Sequence, residues 1–200
     1  MGSYAAVVLA GGAARRMGGV DKPALPVGGR SMRDRVLEAV ADAAPRVLVG
    51  PAEAVPSGVR VTREAPAGGG PVAATAAGLA LLDPDSTVVA LLAADLPLLT
   101  RAAIGALLAG LDGRRELDGV CFVDADGRRQ SLCGVWRVAA LRAGLDRLAA
   151  QRDGDLAGAS VRALLGGLLV GEVPWGGAGP PPWFDCDTDE DVRRAEEWVR

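Results

Sequence analysis

The chain contains no histidine. That absence removes every Ser-His-Asp or Cys-His device and leaves Asp, Glu, Lys, Arg and a bound metal ion to carry any chemistry. Cysteine is scarce too: Cys121, Cys133 and Cys186 have no metal-ligand spacing, which excludes a zinc cluster and fits a reducing compartment. No uninterrupted apolar run reaches bilayer-spanning length, because Asp, Pro or Gly breaks each one. The amino terminus has no basic n-region, and Met-Gly-Ser-Tyr-Ala-Ala lacks the Ser/Thr of a myristoylation signal. The expectation is therefore a cytoplasmic protein with no membrane partner. Positive charge is not clustered either: the formal net charge is −3 and the arginines are spread along the chain, which argues against a nucleic-acid surface. Lysine is the rarest cation, with Lys22 its single occurrence.

What the chain has in quantity is hydrophobic residues, half of its 200, enough for one domain with a sizeable core. The stretch that organises it runs from Val7 to Leu25, VVLAGGAARRMGGVDKPAL. An apolar run from Tyr4 to Leu9 predicts a buried strand that stops at Ala10-Gly11-Gly12. Glycines at 11, 12, 18 and 19 let successive N–H groups turn toward one point, a nest for phosphate oxygens, with Arg15, Arg16 and Asp21-Lys22 beside it. An ammonium is a compact point charge that fits between two phosphates, so Lys22 is read as a phosphate ligand. A P-loop is excluded because Asp21 precedes Lys22 and Pro23 follows it. The dinucleotide fingerprint is excluded because this long loop ends in Pro23 and Pro26 instead of opening directly into a helix.

Downstream, strands alternate with helices. Ser31 caps a helix expected to run to about Ala43, and strands are expected at Arg46 to Val49 and Val59 to Thr62. Pro71 opens a small-residue helix whose N-terminus, bared by Gly68 to Gly70, offers a second place for an anion or a base edge. Thr87 to Ala93 is apolar throughout, as a central parallel strand should be, and ends in Ala94-Asp95-Leu96-Pro97. This order predicts a mostly parallel sheet covered on both faces. Asp95 then lies where such sheets bind ligands. Facing phosphates without a cation between them, it would be repelled by about 4 kcal/mol at ~4 Å and an effective dielectric near 20. That makes it the expected Mg²⁺ ligand. A hairpin turning at Asp126-Gly127 is read as an insertion that walls the second substrate. Helices follow at Leu141 to Ala150 and about Ser160 to Leu165, then a strand at Leu168 to Val173 and a mobile Gly-Pro loop. Thr188 and Asp191 form a capping-box variant before the last helix, but this does not account for Asp185 and Asp187. On a strand end these two share a side, and one or both can reach the metal.

The pattern LAGG-x3-RMGG-x-DK-x2-L resembles the signature loop of nucleotidyltransferases that activate a phosphorylated acceptor with an NTP, and most of all the molybdenum cofactor guanylyltransferase family. The resemblance implies a three-layer α/β/α Rossmann-like nucleotidyltransferase fold, with residues 1–115 as NTP-binding half and 116–200 as acceptor-binding half of one domain. It implies transfer of GMP from GTP to molybdenum cofactor (Mo-molybdopterin) with Mg²⁺, and delivery to molybdoenzymes or their chaperones. The implied residues are Lys22, Arg16 and Asp95 for catalysis, with Asp95 and Asp187 on the metal and Asp185 in reserve. Leu9, Ala10, Gly11, Gly12, Lys22, Gly50, Glu64, Gly70 and Asp95 would hold the nucleotide. Arg129, Gln130 and Ser131 would hold the acceptor. Gly50 stands where the family often has Asn and Glu64 where Asp is commoner, so a molybdopterin cytidylyltransferase stays open. A sugar-phosphate transferase and a non-catalytic cofactor carrier are the other readings.

Overall fold

Strand β1 (Ala5–Leu9) is buried along its whole length and sits near the middle of a seven-stranded sheet. This is a computed structural model, and it describes residues 3–11, 22–51, 55–177 and 179–199. Gly12, Arg15, Arg16, Gly18, Gly19 and Asp21 lie outside the described residues. After a single 3-10 turn at Lys22–Ala24, a small antiparallel pair, β2 (Pro26–Val27) and β3 (Arg30–Ser31), leads into α1 (Met32–Ala39). Then come β4 (Arg46–Val49), β5 (Val59–Thr62), α2 (Gly70–Leu79), β6 (Val88–Ala93) and α3 (Arg101–Leu111). The second half supplies β7 (Gly119–Val123), β8 (Arg129–Arg137), α4 (Val138–Gln151), α5 (Val161–Leu165), β9 (Val170–Pro174) and α6 (Asp189–Trp198).

The sheet order is β5-β4-β1-β6-β8-β7-β9. Every strand runs the same way except β8, which pairs antiparallel with both β6 and β7. Period-2 alternation divides the core. Ala6 and Val8 pack with α1 and α3, through Val36, Leu37, Ile104 and Leu107. Ala5, Val7 and Leu9 pack on the other face with α2 and α4, through Val72, Leu79, Leu141 and Leu145. A strand apolar on both faces must be covered twice, which is why three layers form. Among the described residues, no helix is long and apolar enough to cross a membrane.

Three expectations change. Helix α1 stops at Ala39, short of Ala43, because Ala44 N–H is drawn to Tyr4 C=O and Ala6 N–H to Pro45 C=O, turning the chain into β4. The hairpin is not an appended wall: β8 is inserted between β6 and β7, so the sheet runs unbroken from one half of the chain to the other. Residues 184–187 form no strand end. Cys186 is fully buried instead, in a small cluster with Val27, Met32, Leu98 and Ala195, and its N–H donates to Asp95 C=O at 3.3 Å. Burial pushes its thiol up to about 12, so it stays protonated and acts as an anchor. The stretch between β9 and Trp183 is held at both ends, with Trp175 edge-on to Phe122 at 5.7 Å and Trp183 tilted against it at 5.2 Å.

Candidate functional site

β4 and β5 lie on one side of β1 and β6 on the other, so the order of the sheet reverses between β1 and β6. Open α/β sheets bind ligands at that crevice, outside the carboxyl ends of the strands. Here Leu9 sits beside Ala93, and Ala94 N–H bonds Leu9 C=O at 3.0 Å. A cavity of about 570 Å³ opens over this point. It is large enough for a nucleotide-sized ligand.

Lys22 lines it. Its Nζ donates to Asp95 Oδ2 at 2.6 Å and to Asp187 Oδ1 at 2.8 Å. Three elements converge here: the 3-10 turn brings the ammonium, the end of β6 brings Asp95, and the segment anchored by Cys186 brings Asp187. Burial works against the charged lysine, but hydrogen bonds and charges from Asp187 and Asp95 outweigh it and raise the pKa. Asp185 also lines the cavity, and burial followed by the charge of Asp187 pushes its carboxyl up. Two carboxylate oxygens aimed at one point fit a small hard cation, because either could take an inner or outer position in an oxygen shell. Among the described residues no three His, Cys, Asp or Glu side chains are grouped to hold a metal ion. Two carboxylates by themselves leave most of the oxygen shell of such a cation to be filled from outside the protein.

Leu9, Ala10 and Gly11 also line the cavity, with Glu64. Glu64 Oε1 accepts the Gly68 N–H at 3.1 Å, which fixes the carboxylate. A Cβ on Gly11 would lie 3.1 Å from both Glu64 oxygens, so glycine is what lets the loop pass this close. Gly50 and Gly70 are not among the lining residues. Gly50 instead packs behind the loop, with φ 144°, and a Cβ there would fall 2.7 Å from Ala10 C and 2.8 Å from Gly11 N. Gly50→Ala is expected to cost about 3 kcal/mol of stability through this strain and clash, seen as a lowered denaturation midpoint.

Of the acceptor residues, Gln130 and Ser131 line the cavity and Arg129 does not. The Arg129 Nε donates to Glu172 Oε1 of β9 at 2.8 Å, because its place on β8 turns it toward the far edge of the sheet. Trp183, Leu132 and Cys133 also line the cavity, and the sequence reading assigned none of them a role there. A step in register delivers the last two: Cys121 pairs with Gly134 and Phe122 with Gln130, so residues 131–133 are skipped by β7 and bulge toward the site. A bulge of this kind has no local signature, although Trp183, two residues before Asp185, was legible as an aromatic residue close to a candidate ligand.

The MobA-like NTP transferase domain family matches this chain over residues 6–166. A relative described as molybdenum cofactor guanylyltransferase, from Bradyrhizobium sp. (strain ORS 278), is 31% identical over 95% of this chain and 90% of its own length. Among solved structures, molybdopterin-guanine dinucleotide biosynthesis protein A from Archaeoglobus fulgidus superposes with a TM-score of 0.69 at 19% identity, covering 96% of this chain and 97% of that one. 2-C-methyl-D-erythritol 4-phosphate cytidylyltransferase from Thermus thermophilus does so with 0.69 at 19% identity, covering 98% of each. At such identities the two structures establish the fold alone. The full-length relative and the family match go further: this chain belongs to the MobA-like NTP transferase domain family and is a nucleotidyltransferase.

Proposed function

We propose that the chain transfers GMP from GTP to molybdenum cofactor, releasing pyrophosphate and forming molybdopterin guanine dinucleotide in the cytoplasm, for use by molybdoenzymes or their chaperones. The observation that carries the base choice is the Glu64 carboxylate beside Gly11, with one oxygen bonded to Gly68 N–H and the other free of any partner among the described residues. A carboxylate only accepts. Guanine offers it a ring N–H and an amino group side by side, whereas the pairing edge of cytosine offers one amino group and two acceptors that the same charge repels. The Bradyrhizobium relative named for this activity supports the acceptor.

In this reading the GTP phosphates lie on the loop after β1, with Gly11 and Gly12 lending N–H groups and Arg16 a guanidinium. Lys22 turns from the two carboxylates to the phosphates and donates to their oxygens. Asp95 and Asp187 would hold Mg²⁺, whose contribution is to neutralise charge that builds on the phosphates. The acceptor's phosphate oxygen forms a bond to the α-phosphorus in line as the bond from that phosphorus to the pyrophosphate oxygen breaks. That nucleophile is already ionised near neutral pH, so no general base is needed, in keeping with a chain that has no histidine. Catalysis is then positioning and charge stabilisation.

The second reading, CTP as donor, is favoured by Gly50, which has no side-chain amide to offer a base. Incubating the protein with molybdenum cofactor and each NTP separates the two: GTP turnover supports the proposal, and CTP turnover without GTP turnover overturns it. Glu64→Gln is expected to lower the ratio of GTP to CTP kcat/KM by about tenfold, as unmatched polar groups at a specificity site do.

A further inference from the structure

Gln130 is held by one end. Its Nε2 donates to Asp124 Oδ2 at 3.0 Å and to Arg128 C=O at 3.4 Å. Both partners are acceptors only, so the NH₂ is the end that faces them and the carbonyl oxygen is the end left over. Asp124 is itself locked, because its other oxygen takes the N–H groups of Asp126 at 3.0 Å and Arg128 at 2.8 Å in the hairpin turn. Gln130 lines the cavity, and its Oε1 accepts no hydrogen bond from the described residues. Phe122 ties this residue to the aromatic wall: its backbone pairs with Gln130 across the ladder and its fully buried ring packs on Trp183, which lines the same cavity.

We propose that Gln130 presents a carbonyl acceptor to the second substrate, that Asp124 is the positioning residue that sets this polarity, and that Trp183 supplies the face on which the substrate's heterocycle lies. The inference rests on the acceptor reading above and sharpens it. The recognised group is a planar nitrogen heterocycle that carries N–H or amino donors on its edge. Gln130 reads those donors and does not bind the acceptor's phosphate, for which an NH₂ would have to point inward. Aromatic faces stack such rings with little regard to edge chemistry, so Trp183 contributes affinity and Gln130 contributes selectivity.

The probes are pterin, which has a 2-amino group, and lumazine, which has an oxygen at that position. Calorimetric titration of the full chain should show pterin preferred by about fivefold to tenfold, the range of one neutral hydrogen bond. In Asp124→Asn the new amide keeps its oxygen on the two turn N–H groups and points NH₂ at Gln130, whose amide then turns over. The preference should reverse toward lumazine, and the loss in turnover should fall on the acceptor KM and not on the GTP KM. Gln130→Ala should abolish the preference without reversing it, and Trp183→Ala should weaken both probes alike, by about tenfold. An unchanged pterin-to-lumazine ratio in both Asp124→Asn and Gln130→Ala overturns the inference while leaving the acceptor reading intact if the unaltered protein still transfers GMP to molybdopterin. Failure of the unaltered protein both to bind pterin and to transfer GMP overturns the two together.

Discussion

Asp95→Asn is expected to slow nucleotidyl transfer by about 10³-fold, close to 4 kcal/mol of barrier, without unfolding the protein. The substitution keeps the shape of the side chain and the backbone bonds that hold it, from Cys186 N–H to Asp95 C=O and from Ala94 N–H to Leu9 C=O. What it removes is charge. Around Lys22 stand Asp95, Asp185 and Asp187, three carboxylates to one ammonium, and burial and the charge of Asp187 already push Asp185 upward. Losing one of the three relieves repulsion but also weakens the hold on Lys22, which keeps Asp187 as its partner at 2.8 Å, so the thermal midpoint should change little while the rate collapses. Pyrophosphate release measures the rate, and equilibrium titration with nucleotide measures binding. A variant that still binds GTP but releases no pyrophosphate would exclude a mere carrier module. One that turns over normally would remove Asp95 from the mechanism.

The second large effect is Lys22→Ala, for which the expected loss is about 3 kcal/mol in barrier, roughly a hundredfold in rate. Lys22 is only 14% exposed in its side chain and touches both Asp95 and Asp187, so its ammonium neutralises those two carboxylates directly. Its removal should therefore split two measurements that usually move together. Turnover should fall, because a donor to the phosphates is gone. The concentration of Mg²⁺ needed for half-maximal binding should also fall, because the protein's own cation no longer competes for the same two oxygens. A loss of tenfold or less in rate would count against its assignment to the phosphates, and a weaker Mg²⁺ response would place the metal elsewhere.

Much of this architecture is written in short-range patterns. β4 and β5 begin and end where their apolar runs and flanking Pro and Gly place them, because burial and turn chemistry act within a few residues. The same holds for the helix caps: Ser31, Thr100 and Ser160 each accept a backbone N–H three residues on, and Thr188 with Asp191 closes a full capping box. Lys22 and Asp95 stood out for similar reasons, one as the single lysine and the other as a carboxylate closing the most apolar strand. Chemistry that a residue type makes improbable in its setting is visible without a fold.

Pairing between distant segments is a different matter. Nothing near Arg129 announces that Glu172 will take its guanidinium, and nothing in the hairpin announces that β8 will enter the sheet beside β6 and bulge at residues 131–133. Asp187 reaches Lys22 across 165 positions only because Cys186 sinks into the cluster beneath α6. The amino-acid order by itself determined the alternation of elements, their caps, and which side chains were chemically out of place. Only the folded chain decided which of them meet, because a contact between remote segments depends on register, twist and the filling of a shared core, quantities no local window contains.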